Sequence, residues 1–174
     1  MSDKVLVTYA SKHGATAEIA EKIGEVLREN GLDVDVKTVK TVKSAAGYGA
    51  VVLGSASYYG RWCGDAVKFL KANATQLAGM PTWLFMSGPT GKGDPRELLK
   101  GVLYPASLQP VIDTIKPREV TAFHGDSSSD RFGGWERWIL RRVGADAADF
   151  RDWDMITAWA NKIAADLKTK SGKK

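Results

Sequence analysis

Short apolar runs alternate along the chain with longer stretches of helical period. Lys4-Val5-Leu6-Val7-Thr8-Tyr9 is nearly all apolar or β-favouring, which predicts a strand buried on both faces. From Thr16 the period changes, with Ile19, Ile23, Val26 and Leu27 on one helical face and Glu18, Glu21, Lys22 and Glu25 elsewhere. Asn30-Gly31 ends that helix, Gly31 being suited to a left-handed C-terminal cap. Val34, Val36 and Thr38 alternate with Asp33, Asp35 and Lys37, the pattern of an edge strand with one wet face. Ala50 to Ser55 predicts a central strand, Val67, Leu70 and Ala74 a helix, and Thr82 to Ser87 another buried strand. Pro105 and Pro110 interrupt the next region, where a helix is expected near Ser107 to Lys116. Glu119 to His124 is the fifth strand, and Ile156, Trp159, Ile163, Ala164 and Leu167 mark a last helix with Asp152 as its N-cap.

Five strands alternating with helices predict an α/β domain: a doubly wound, five-stranded parallel sheet with helices on both faces and right-handed crossovers. The length of 174 residues suits one such domain, expected over residues 1–170, with 171–174 a basic disordered tail. Such sheets bind ligands outside the carboxyl ends of their strands, where the strand order reverses. That directs attention to the loops after strands one, three and four.

The first loop, Ser11-Lys12-His13-Gly14-Ala15-Thr16, opens a helix, whose free N–H groups and dipole suit a phosphate. Ser11 and Thr16 add hydroxyls, Lys12 a charge and Gly14 room for close approach, although a plain capped turn has the same composition. No Gly-Lys-Ser/Thr or Gly-x-Gly-x-x-Gly is present, and no acidic pair follows strand one, which argues against a Walker loop, a dinucleotide fold and a phosphoacceptor domain. In the second loop, Ser57, Tyr58, Tyr59 and Gly60 could wall in a flat heteroaromatic ring, or the tyrosines could roof the core. The third, Ser87-Gly88-Pro89-Thr90-Gly91, exposes backbone groups able to hydrogen-bond a ring edge. A phosphate at the first loop and a flat ring between the other two describe FMN better than a dinucleotide.

Composition narrows the setting. Cys63 is the only cysteine, so no intramolecular disulfide forms, and it reads more readily as a packing residue than as a redox partner. No signal-type segment or apolar run of roughly 18–20 residues is visible, so a cytoplasmic location is expected. The net charge of +5 raises nucleic acid and anionic membranes as partners, but no nucleic-acid motif is present.

Residues 8–16 and 54–62, with the order of elements, resemble the flavodoxin family. More closely, the chain resembles the menaquinone-dependent protoporphyrinogen oxidase branch, also called protoporphyrinogen IX dehydrogenase (quinone). The shared features are a turn ending Gly-x-Thr, a Tyr-Gly second loop, a late basic aromatic segment and Asp152-Trp153 before the final helix. The resemblance implies a flavodoxin-like fold of strand order 2-1-3-4-5, with FMN as the cofactor and the chemistry on the flavin. No catalytic side chain or metal ligand is nominated. Ala10 and Ala15 replace polar residues usual in the first loop, so Lys12 and the backbone must contribute more.

The late segment, residues 131–143, carries Arg131, Arg137, Arg141 and Arg142 against Glu136, with a stripe of Phe132, Trp135, Ile139 and Val143 and Trp138 beside it. Trp135, Arg137, Trp138, Arg141 and Arg142 are candidates for quinone contact or for peripheral contact at the inner face of the membrane. The alternative packs the stripe on the sheet. The resemblance implies an oxidoreductase passing electrons from a porphyrinogen-type substrate through FMN to menaquinone. The rival is a soluble flavodoxin shuttling electrons between protein partners, against which the basic charge counts.

Overall fold

The central strands are apolar because they are covered on two faces. In the computed structural model, which describes residues 3–88, 92–128, 133, 138, 142 and 148–171, β1 (Val5–Ala10) pairs in parallel with both β2 (Val34–Thr38) and β3 (Ala50–Tyr58). The sheet continues from β3 through β5 (Thr82–Ser87) to β6 (Glu119–Phe123), all parallel. The five long strands thus run β2-β1-β3-β5-β6, the expected 2-1-3-4-5 order. A sixth, the two-residue β4 (Arg61–Trp62), folds back antiparallel on the end of β3 and was not expected.

Alternation along the strands divides the interior into two layers. Val5, Val7, Val52 and Phe85 meet α1 (Ala15–Glu29) and the last helix, α6 (Trp153–Ser171). Leu6, Leu53, Leu84 and Met86 meet α2 (Gly64–Ala72), α3 (Ala74–Ala78) and α5 (Gln109–Ile115). The helix expected through Ala74 is therefore two, broken at Asn73, whose amide donates to Phe69 O (2.9 Å). The helix expected from Ser107 begins as a 3₁₀ turn at Ala106–Leu108 and closes at Lys116, which is left-handed. Short α4 (Pro95–Leu98) is a further addition, capped by Asp94, whose side chain accepts from Arg96 N.

Two predicted helix ends have the expected chemistry. Gly31 follows α1 at φ +83°, and Asp152 Oδ1 accepts from Met155 N (2.9 Å) in the first turn of α6. α6 continues to Ser171, and the remaining tail, 172–174, lies outside the described residues.

Candidate functional site

The turn between β1 and α1 has the backbone geometry that an anion site requires. Gly14 sits at φ +89°, a conformation that disfavours a side chain, and no side chain among the described residues caps the helix. The first N–H groups of α1 therefore point out of the helix with no capping side chain among the described residues. Ser11 Oγ accepts from Gly14 N (3.0 Å), so this hydroxyl shapes the turn. Thr16, in the first turn, is fully buried, yet its Oγ1 has no hydrogen-bond partner among the described residues. An orphaned buried hydroxyl costs roughly 1–3 kcal/mol, which an incoming acceptor would recover. Lys12 is exposed, and Ala15 is half-buried with no polar side chain to offer.

The second loop is a two-residue hairpin turn. Tyr58 pairs with Arg61, so Tyr59 and Gly60 form its tip at φ +51° and +75°. A tyrosine in this region carries strain of roughly 1–2 kcal/mol. Its side chain is 95% exposed, so burial offsets none of that, and Tyr59 does not roof the core. Tyr58 is half-buried and turns toward the first loop: Lys12 Nζ lies 5.2 Å from its ring centroid, and His13 meets it edge-on at 5.7 Å. The β1–α1 turn and the β3–β4 hairpin are in contact.

The third loop is packed backbone to backbone. Ser87 is buried, and a Cβ on Gly88 would lie 2.7 Å from Ser57 O. One on Gly125 would lie 3.2 Å from Gly88 Cα, so the ends of β3, β5 and β6 leave no room for side chains. His124 is buried with Nε2 2.7 Å from Gly93 O, which ties the far end of this loop to β6 and agrees with a structural role. Pro89, Thr90 and Gly91 lie outside the described residues.

Sequence inspection missed the ion cluster beside α1. Asp126 and Asp149 form an antiparallel bridge, reinforced by Ser127 N to Ala148 O (3.0 Å), closing the base of the segment between β6 and α6. Arg151, almost wholly buried, reaches Asp149 (2.7 Å), Asp126 (3.5 Å) and Glu18 of α1. Asp149 foremost, with Glu18, pushes the Arg151 guanidinium further above its ordinary range, while burial opposes. Sequence separation hid this: Glu18 and Arg151 are 133 positions apart.

Within that segment only Trp138, Arg142 and the glycine at 133 are described. Trp138 is 57% exposed, with the Arg142 guanidinium 4.6 Å from its ring, so this tryptophan does not pack on the sheet. Trp135, Arg137 and Arg141 lie outside the described residues. Cys63 is half-buried, and burial pushes its thiol up, which fits packing better than reactivity.

A flavodoxin domain is matched over residues 6–154. The chain belongs to this family. It is 22% identical to protoporphyrinogen IX dehydrogenase (quinone) of Escherichia coli strain K12 over 172 residues, 92% of this chain and 94% of that protein. Its fold is similar to a flavodoxin from Streptococcus pneumoniae TIGR4, at TM-score 0.59 and 19% identity over 96% of this chain and 99% of that one. It is also similar to rubredoxin oxygen:oxidoreductase of Desulfovibrio gigas, at TM-score 0.60 and 15% identity, where it covers 97% of itself but 37% of the longer chain.

FMN is the cofactor of this family. The residues present fit it: a helix N-terminus with no side-chain cap among the described residues, the orphaned Thr16 hydroxyl and a strained aromatic turn lie at the carboxyl ends of the neighbouring strands β1 and β3. No described helix is long and apolar enough to cross a membrane.

Proposed function

We propose that the protein is an FMN-dependent oxidoreductase that takes electrons from a reduced porphyrinogen-type substrate and delivers them to a quinone. The observation that carries this reading is the end-to-end likeness to protoporphyrinogen IX dehydrogenase (quinone), 94% of which is covered. When bound, FMN supplies the ring that accepts and donates electrons. The α1 N-terminus, Lys12 and Thr16 hold its phosphate. Tyr58, Tyr59, Gly60 and the 87–91 loop hold and shield its ring. Trp135, Arg137, Trp138, Arg141 and Arg142 contact the quinone or the membrane surface that carries it, on a cytoplasmic protein.

The rival, a soluble electron carrier, draws on the fold it shares with flavodoxins. The test supplies FMN-loaded protein with protoporphyrinogen IX and menaquinone and follows porphyrin fluorescence. Quinone-dependent porphyrin formation well above that of free FMN is expected. Formation no faster than with free FMN, alongside ready reduction by a flavodoxin reductase, would favour the carrier.

A further inference from the structure

A cavity of about 310 Å³ lies between the β3–β4 hairpin and residues 98–104, at the low end of the range for small-molecule sites, roughly 300–1,000 Å³. Trp62, Met86, Leu98, Val102 and Tyr104 give it an apolar lining, with Ser57 at the hairpin side. None of its lining residues belongs to the β1–α1 turn. Leu98 and Val102 are 48% and 63% exposed, so its mouth presents apolar surface to solvent.

The far wall is fixed rather than incidental. Trp62 Nε1 donates to Leu103 O (3.1 Å), and Tyr104 OH bonds Gln109 Oε1 (3.1 Å). Lys100 and Gly101 are both left-handed, at φ +50° and +75°, which turns the chain sharply where Lys100 meets the cavity. Lys100 is exposed and forms no ion pair among the described residues. Gly60, at the hairpin tip placed above beside the flavin ring, forms the opposite wall, and no acidic side chain lines the cavity among the described residues. An apolar slot with an unneutralised cation at its rim complements an apolar ring that carries an anion.

We propose that this cavity seats one edge of an apolar ring compound bearing a carboxylate, the small-molecule electron donor, with Lys100 meeting the carboxylate. The proposal rests on the oxidoreductase reading above and adds a place and a charge requirement for its substrate. An uncharged ring would gain the apolar contacts but not the ionic one.

The test uses FMN-loaded protein with protoporphyrin IX and its dimethyl ester as stable probes, binding being read from porphyrin fluorescence anisotropy. Lys100→Gln should weaken the acid about tenfold and leave the ester unchanged. Val102→Asp, at an exposed position, should weaken both probes at least tenfold while FMN affinity and thermal midpoint hold. Three results would overturn the proposal: no binding to the parent protein, equal effects of Lys100→Gln on acid and ester, or loss of FMN in Val102→Asp, which would make the cavity the flavin's own. Binding as expected without porphyrinogen turnover would instead sink the oxidoreductase reading and leave the cavity assigned. Turnover insensitive to both variants at limiting substrate would do the reverse.

Discussion

Lys12 Nζ stands 5.2 Å from the centre of the Tyr58 ring, linking the loop after β1 to the loop after β3. An exposed cation–π contact contributes only about 0.5–1 kcal/mol, so it biases the loop without locking it. Lys12 remains available to a phosphate at the α1 N-terminus. Replacing Lys12 with Gln should weaken FMN about fivefold at low salt, the effect of one lost near-surface charge interaction. The deficit should shrink as ionic strength rises, which an FMN titration at two salt concentrations would reveal.

Gly88 is a position where shape decides. Its Cβ would fall 2.7 Å from Ser57 O, and that atom belongs to a backbone that cannot easily yield. Gly88→Ala should lower stability by about 1–3 kcal/mol and weaken FMN by displacing the two ring loops. Gly64→Ala, in the first turn of α2 with nothing near its Cβ, is the matched control. Denaturant unfolding of both would show whether the loss is confined to Gly88.

Arg151 joins α1 to the base of the 127–148 segment. Both side chains are nearly inaccessible, so removing the guanidinium takes the cation from a buried carboxylate, leaving Asp126 with its Ser128 N–H bond (2.8 Å) but no counter-charge from Arg151. Arg151→Met should cost about 3–5 kcal/mol, the range for breaking a buried pair from one side. Arg151→Lys should recover part of this, because an ammonium keeps the charge but cannot reach three carboxylates in the same geometry. Thermal unfolding of the two variants would rank them.

Asp94 caps α4, the element leading into the cavity wall, and its side chain bonds Arg96. The Arg96 side chain, with its backbone N–H, holds the Asp94 carboxyl down from 3.8 to about 2. A carboxylate with a depressed folded pKa adds stability that is present above its unfolded value and lost as pH falls through the folded one. The thermal midpoint gap between the parent and Asp94→Asn should therefore be constant above about pH 4 and narrow toward pH 2. A gap that stays constant below pH 4 would count against the cap.

The sheet order, both layers and the α1 turn were legible because periodicity and apolar runs are local signals. Val5 and Leu6 announce two covered faces simply by being adjacent and apolar. The β4 strand was not legible, since two residues carry no period, although Tyr59-Gly60 could have suggested a tight hairpin. The 98–104 wall was hidden because Gly101 and Pro105 signal only interruption; its shape comes from the Trp62–Leu103 hydrogen bond across 41 positions. Thr16 was singled out for its hydroxyl, but its lack of a partner depends on burial and capping that only the fold supplies.

That orphaned hydroxyl gives the most direct test. Thr16→Val keeps the shape and removes only the unpartnered group, so the FMN-free protein should fold equally well or gain about 1 kcal/mol. Yet a hydrogen bond to a charged phosphate is typically worth about 1.5–3 kcal/mol, so FMN affinity should fall roughly 10- to 100-fold. Titrating FMN into both proteins, following quenching of flavin fluorescence, measures the difference. One equivalent bound by the parent and the weakened affinity in Thr16→Val is the expected result; no binding by the parent, or equal affinity in both, would contradict a phosphate held at the head of α1.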